Sequence, residues 1–447
     1  MKPWLAPVAH SPVKATVTLP GSKSQTNRAL VLSALAEGEC TIVNALVARD
    51  TQLMCDALTA LGAVIDRSDE ALWRVTPMAK STVRSSSMAI DAGLAGTVMR
   101  FILPVAALAK GEVTIFGDER AKERPIAPLM KSLQEIGVVI KAEHQSLPVT
   151  IDAAGEIEGG ATSLDASASS QFVSALLLTA PKFTRGLQLT DVGPKLPSRP
   201  HIEMTIAMLQ ECGVTVAESL DATGRTVWQV QPSEVKAHQW QIEPDLSNAA
   251  PFIGAALVTG GQVIVKAWPK KTTQAGDYLR QLIDMWGGSQ TFVDEGLKVT
   301  GPSQLSGIDV DLGDYGELTP VVAAICAAAS APSTLRNIGH LRGHESDRLA
   351  ALVTNLTAVG VECRADADSL HIDPRAAKPG AGAPPTTAAE LPSTIRWQSF
   401  DDHRLATAGA LMGLLIEGVE VDDIAATTKT MNNFPALWQE MLTGVNN

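Results

Sequence analysis

The unusual polar residues of this 447-residue chain fall in six short clusters. They lie at residues 21–28 (Gly-Ser-Lys-Ser-Gln-Thr-Asn-Arg), 93–100, 167–171, 245–248, 314–317 and 401–404. Each stands at the start of an apolar run of helical length. A helix start presents unpaired N–H groups and a partial positive charge, so it suits an anionic group. Helix capping accounts equally well for the Ser, Thr, Asp and Asn residues. It does not account for Lys23, Arg28, Arg100 and Arg404, because the helix dipole disfavours cations there. Cations placed repeatedly at helix starts imply an anion between them. Two further charged runs, 122–126 and 342–348, precede other helical segments. Taken alone, such runs read as solvated faces, and Pro125 suits a first helical position.

Other chemistries find no support. There is no Gly-Lys dipeptide and hence no Walker loop, no G-x-G-x-x-G and no G-x-S-x-G. His344-Glu345 lacks the second histidine of a zinc helix, so neither a metal nor a cofactor is expected. The 48 acidic residues against 36 Lys and Arg give a net charge of −12. That balance excludes a general nucleic-acid or anionic-membrane binder. Five scattered cysteines without a C-x-x-C pair read as free thiols of a reducing compartment. No apolar run reaches membrane-spanning length, and the first ten residues show no secretory signal. A cytoplasmic protein is expected.

The elements that must position the clusters repeat. Glycines 62, 137, 213, 287 and 360 each end a helical segment ahead of a short strand-like run or a second glycine, at intervals of 73 to 76 residues. Upstream of each lies a small-apolar helix leading into a strand. Six such units fill the chain, and their alternation indicates an α/β class. The sixth unit ends in a helix with little chain after it, and the alternating segment 13–19 is expected to supply its missing strand. The Pro/Ala/Gly/Thr-rich segment 374–395 reads as a surface insertion.

In this order, Gly21–Arg28 with the preceding Pro20, Ala95-Gly-Thr-Val-Met-Arg100, Lys122-Glu-Arg-Pro-Ile126, Ser169-Ser-Gln171, Glu345-Ser-Asp-Arg348 and Asp402-His-Arg404 closely resemble the 5-enolpyruvylshikimate-3-phosphate synthase family. The resemblance implies a two-domain inverse α/β fold, each domain holding three βαβαββ repeats about a pseudo-threefold axis. It implies a first domain over 20–240 and a second over 1–19 plus 245–447, with hinges near 19–21 and 239–245. The first would bind shikimate 3-phosphate, the second phosphoenolpyruvate, in a cleft that closes between them. The implied reaction moves the enolpyruvyl group of phosphoenolpyruvate to the 5-hydroxyl of shikimate 3-phosphate through a tetrahedral intermediate, releasing phosphate. No cofactor is implied, and a monomer is expected.

By the same resemblance, Lys23, Ser24 and Arg28 hold shikimate phosphate and carboxylate groups. Ser169, Ser170 and Gln171 complete the phosphate site, with Ser198 and Arg199 nearby. Arg124, Arg348, Arg404 and Lys429 hold phosphoenolpyruvate. Glu317 takes the 5-hydroxyl proton and Glu345 protonates the methylene carbon, with Lys23, His344 and Lys429 also in catalytic positions. Together with Arg100, eight cations would face two substrates, each carrying a carboxylate and a phosphate. The chain departs from common members at Leu94 (often Asn), His201 (Tyr), His340 (Asn), His344 (Lys) and Glu317 (Asp). Gly96 is retained, which in this family goes with an open phosphoenolpyruvate pocket and sensitivity to glyphosate. Two rivals share the fold: the enolpyruvyl transferase acting on UDP-N-acetylglucosamine, which uses a loop Cys, and a non-catalytic anion binder. No Cys lies between Cys55 and Cys212. A mere anion binder gains nothing from carboxylates among its cations.

Overall fold

The structure is a computed structural model, described here for residues 3–78, 87–374 and 392–444. It divides into two units, one of Met1–Pro20 with Pro244–Asn447 and one of Gly21–Glu243.

The Gly21–Glu243 unit contains three copies of one motif. Each has a four-stranded sheet with a parallel pair followed by two antiparallel strands. The first sheet runs Gln239–Gln241, Cys40–Val43, Leu72–Thr76, Val64–Asp66. The second runs Met88–Asp91, Lys110–Phe116, Val149–Ala154, Val139–Lys141. The third runs Gly160–Leu164, Leu187–Asp191, Thr226–Val230, Val216–Leu220. Three inner helices, Lys23–Ala34, Gly96–Ala107 and Gln171–Thr179, pack against one another. All twelve residues of Gly96–Ala107 are buried, and Arg100 is the one charged residue among them.

The other unit repeats the plan. Its first sheet runs Lys14–Val17, Gln262–Lys266, Gly296–Thr300, Ser289–Val293. Its second runs Asp309–Asp311, Ser333–Arg336, Ser369–Asp373, Glu362–Ala365. The third has three strands, Ile395–Trp397, Val419–Val421 and Trp4–Leu5. The inner helices are Ala250–Thr259, Thr319–Ala327 and His403–Gly413, again in mutual contact.

The N-terminal strand therefore corrects one expectation. Lys14–Val17 does not complete the sixth unit; it lies parallel to Gln262–Lys266 in the sheet of the fourth. The sixth sheet takes Trp4–Leu5 instead, antiparallel to Val419–Val421. Alternation marks a strand but carries no information about its partner. The proposed insertion falls mostly outside the described residues, which resume at 392, and its last residue begins the Ile395–Trp397 strand.

Two local devices recur. The five spaced glycines all have positive φ, between +79° and +111°. At each, the N–H one residue beyond the glycine reaches back to a helix carbonyl, as in Ala63 to Leu58, Val138 to Leu133 and Val361 to Leu356. The second device lies at the starts of inner helices. An aspartate Oδ1 accepts from the N–H two residues on, at 2.7–3.1 Å, for Asp91–Gly93, Asp165–Ser167, Asp245–Ser247, Asp311–Gly313 and Asp402–Arg404. Asp402 is itself the cap of its helix, and the other four aspartates lie five to eight residues ahead of their inner helices. Among the described residues no helix is long and apolar enough to cross a membrane.

Candidate active site

In the Gly21–Glu243 unit the cations are drawn in by inner-helix starts. Ser22 caps the Lys23–Ala34 helix, its side chain accepting from Gln25 N. Lys23 opens the helix, and its Nζ lies 3.2 Å from Oδ2 of the buried Asp50. Arg28, one turn further and 1% exposed, is held at all three nitrogens. Nε donates to Thr205 Oγ1 at 2.7 Å, Nη1 to the Ser24 carbonyl at 2.9 Å, and Nη2 to Ser174 Oγ at 3.3 Å and the His201 carbonyl at 3.0 Å. Its guanidinium also lies over the Phe101 ring.

The next helix starts bring four more expected residues together. Arg100 Nη1 donates to Gln171 Oε1 at 2.8 Å, and Arg124 Nη1 to the Leu94 carbonyl at 2.8 Å. Both guanidiniums crowd Gly96: a Cβ there would lie 2.8 Å from Arg124 Nη2 and 2.9 Å from Arg100 Nη1. Ser169 Oγ accepts from Gln171 N, while Ser170 is almost fully buried at the start of the Gln171–Thr179 helix. Ser198 takes a left-handed conformation (φ 55°, ψ 41°) where it caps Arg199–Glu211. Arg199 itself is engaged by Glu203 at 3.2 Å and Glu218 at 2.6 Å, and the Glu218 hydrogen bond raises its pKa.

Arg124 reaches its place from a second position in the repeat, just after the 3-10 turn Glu119–Glu123. Pro125 is not the first helical residue that the sequence suggested. The helix is Ala127–Glu135, with Pro128 inside its first turn. Pro125 instead keeps Arg124 extended (φ −80°, ψ 134°), because proline disfavours a helical residue before it.

The other unit uses the same two positions, and there Arg348 and Arg404 both meet carboxylates. Asp402, fully buried, caps His403–Gly413 by accepting from Arg404 N. It also takes Arg348 as a fork, Nε to Oδ2 at 2.7 Å and Nη2 to Oδ1 at 3.3 Å. The same Nη2 donates to Glu345 Oε2 at 3.0 Å. His344 Nδ1 lies 3.4 Å from Arg348 Nη1, and its ring meets His340 edge-on at 5.6 Å. Burial works against the Arg348 charge, but Asp402, Glu345 and Glu317 outweigh it and raise its pKa.

Arg404 Nη2 donates to Ser247 Oγ at 3.0 Å and lies 3.4 Å from Glu317 Oε2. Lys429, last residue of the turn Ile424–Lys429, donates to the Asp401 carbonyl at 2.5 Å. Phe400 and Asp401 are both left-handed, at φ 51° and 55°, so the backbone just before Asp402 is strained. Glu317, His344, Glu345, Arg348, Arg404 and Lys429 thus belong to one network joined through Asp401 and Asp402. Sequence reasoning passed over Asp50, Thr205 and Ser174, and named Asp402 and Ser247 within their clusters without a role. Ser174 left a signal, as a lone hydroxyl in the apolar run Phe-Val-Ser-Ala-Leu-Leu-Leu.

The five cysteines are buried and free. Burial pushes the thiols of Cys55, Cys212 and Cys363 up to about 12 and that of Cys326 to about 11, far from thiolate chemistry at neutral pH.

Residues 8–438 match the family model for EPSP synthase (3-phosphoshikimate 1-carboxyvinyltransferase). The chain belongs to this family. EPSP synthase activity follows: transfer of the enolpyruvyl group of phosphoenolpyruvate to shikimate 3-phosphate, in the synthesis of aromatic amino acids. Solved structures agree on the fold. An EPSP synthase from Acinetobacter baumannii superposes with a TM-score of 0.78 at 21% identity, covering 100% of this chain and 99% of its own. A second structure of the enzyme from that organism gives 0.75 at 21%, covering 98% and 97%. The enolpyruvyl transferase NikO from Streptomyces tendae gives 0.71 at 15%, over 98% and 97%. The EPSP synthase fold, an α/β architecture of repeated sheets and inner helices, is the one expected from the sequence.

Proposed function

We propose that this EPSP synthase divides its chemistry between the two cation sets. Lys23, Ser24, Arg28, Ser169, Ser170, Gln171 and Ser198 hold shikimate 3-phosphate. Arg124, His344, Arg348, Arg404 and Lys429 receive phosphoenolpyruvate, with Gly96 keeping space beside Arg124. Glu345 protonates the methylene carbon. Glu317 accepts the proton of the attacking 5-hydroxyl; the tetrahedral intermediate then loses phosphate from its central carbon and a proton from the new methyl group to ionised Glu345, which restores the C=C bond.

The observation that carries this reading is the pairing of each candidate carboxylate with an arginine, Glu345 with Arg348 and Glu317 with Arg404. Before substrate arrives, Arg348 favours the ionised form of Glu345. A phosphoenolpyruvate anion on Arg348 shares that charge and brings its own negative field, which favours proton uptake by Glu345. The same anion on Arg404 weakens its hold on Glu317 and makes that carboxylate the stronger base. One substrate therefore moves both groups toward the states the reaction needs. Displacement of water from around these charges on substrate binding would strengthen the effect and protect the intermediate.

Phosphate release from phosphoenolpyruvate, measured with each acceptor in turn, tests the assignment. Release is expected with shikimate 3-phosphate and not with UDP-N-acetylglucosamine; the reverse would transfer the reading to the sister enzyme. No release with either acceptor would leave an anion binder. Glyphosate should inhibit, and phosphoenolpyruvate should relieve that inhibition. A cytoplasmic monomer is part of the proposal, supported as to compartment by the five free thiols.

A further inference from the structure

We infer that Ser247 is a positioning residue that sets the Arg404 guanidinium, and through it Glu317, for phosphoenolpyruvate. The inference deepens the reading above and rests on it. Asp245 Oδ1 accepts from Ser247 N at 3.1 Å, Asn248 N at 3.1 Å and Ser247 Oγ at 2.7 Å. Both residues are buried, at 5% and 8% exposure. An ionised carboxylate can only accept, so the serine proton points at Asp245 and the Oγ lone pairs face away from it. A guanidinium can only donate, and Arg404 Nη2 meets that oxygen at 3.0 Å. The polarity of the whole chain from Asp245 through Ser247 to Arg404 is fixed.

The serine also stands on a braced backbone. Leu246 N donates to Gln274 Oε1 at 3.1 Å, and Gln274 Nε2 donates to the Pro244 carbonyl at 2.9 Å. Gly276 packs so closely that a Cβ would lie 2.6 Å from Ser247 N. Among the described residues, both side-chain hydrogen bonds of Arg404 run through Nη2, one to Ser247 and the longer one to Glu317. Nη1 is left for a substrate oxygen. Without the Ser247 hydroxyl, Nη2 has Glu317 as its remaining partner. The pair tightens, the guanidinium swings toward Glu317, and the incoming anion meets a misplaced, more strongly neutralised cation.

The test compares Ser247→Ala, Ser247→Thr and Arg404→Gln by steady-state kinetics with both substrates varied. Ser247→Ala is expected to raise KM for phosphoenolpyruvate about tenfold, the scale of one hydrogen bond to a charged group. KM for shikimate 3-phosphate should stay within about twofold and kcat within about threefold, a split that general structural damage does not produce. Ser247→Thr keeps the oxygen and should return KM for phosphoenolpyruvate to near the wild-type value. An unchanged KM for phosphoenolpyruvate in Ser247→Ala, equal rises for both substrates, or a folded Ser247→Thr without rescue would each overturn the inference. Should Ser247→Thr not fold, the Ala variant decides alone. Arg404→Gln separates the two levels. If it raises KM for phosphoenolpyruvate while Ser247→Ala is silent, only the role of Ser247 falls. If Arg404→Gln is itself silent, the assignment of Arg404 falls and this inference with it.

Discussion

Arg28 and Arg348 are both almost fully buried, at 1% and 2% exposure; Arg348 opens its helix and Arg28 lies in the second turn of its own. Their surroundings differ in kind. The bonds from Arg28 to Thr205, Ser24, Ser174 and His201 all end on neutral oxygens. Arg348 donates to two carboxylates, Asp402 and Glu345, and feels a third in Glu317. Neutral acceptors replace the lost hydration of a guanidinium without cancelling its charge. Carboxylates cancel it. The first arrangement keeps a standing positive field for an anion that only has to be held. The second spends the Arg348 charge on carboxylates, so an anionic substrate there competes with Glu345 and favours proton uptake by it. That is the behaviour wanted from a site that protonates carbon, and it is why the roles of the two halves are proposed as they are.

The contrast breaks most visibly at Glu345. Glu345→Gln keeps a hydrogen-bonding side chain of the same size beside Arg348 but removes the transferable proton. Turnover should fall by about 10²–10⁴-fold, the usual contribution of a general acid. Binding of shikimate 3-phosphate, followed by calorimetry or fluorescence, should stay nearly intact. Equal losses of turnover and binding would make Glu345 a structural partner of Arg348 and remove the proton-trading half of the comparison.

Stability separates the two arginines next. Asp402→Ala leaves the buried Arg348 charge without its fork, and breaking such a pair costs about 3–5 kcal/mol. Thr205→Val removes one neutral acceptor from Arg28 and should cost about 1–3 kcal/mol, as for a buried donor left unsatisfied. Urea unfolding of both variants, with wild type as reference, gives the difference directly. Similar losses would mean that the two guanidiniums are held by packing and not by the type of oxygen around them.

Much of this arrangement could be read before any coordinates. The repeat was legible because a left-handed position after a helix is cheap only for glycine, and the five glycines mark it at nearly constant intervals. The cations at helix starts were legible because they contradict the dipole. What the sequence did not carry were partners distant along the chain. Lys14–Val17 looks like a strand but does not name Gln262–Lys266 as its neighbour. Thr205 lies 177 residues from Arg28, and Ser247 lies 157 from Arg404. Nothing local distinguishes either hydroxyl from an ordinary helical or capping residue. Asp402 was quoted within a motif, yet its cap role hid the second one, because a single carboxylate can accept from Arg404 N and from Arg348 at once. The error at Pro125 has a similar source. Both Pro125 and Pro128 suit a helix start, and only the extended conformation of Arg124 shows which one ends the preceding turn.

The smallest expected change in stability is at Gly96. A methyl group there meets the ends of two flexible side chains, Arg124 and Arg100, at 2.8–3.0 Å, with no backbone among its nearest contacts. The guanidiniums can give way, and Gly96, the first residue of its helix, has no left-handed backbone that alanine would strain, so the melting temperature of Gly96→Ala should hardly move. The displaced groups cannot keep their bonds unchanged, since Arg124 Nη1 is fixed on the Leu94 carbonyl and Arg100 Nη1 on Gln171. KM for phosphoenolpyruvate should rise about three- to tenfold, roughly the loss or lengthening of one charged hydrogen bond. Glyphosate inhibition, measured in the same assay, should weaken by at least that factor. A drop in stability with both constants unchanged would show that the two arginines pack around Gly96 for the fold alone, and would confine anion recognition in this unit to the Lys23–Arg28 helix start.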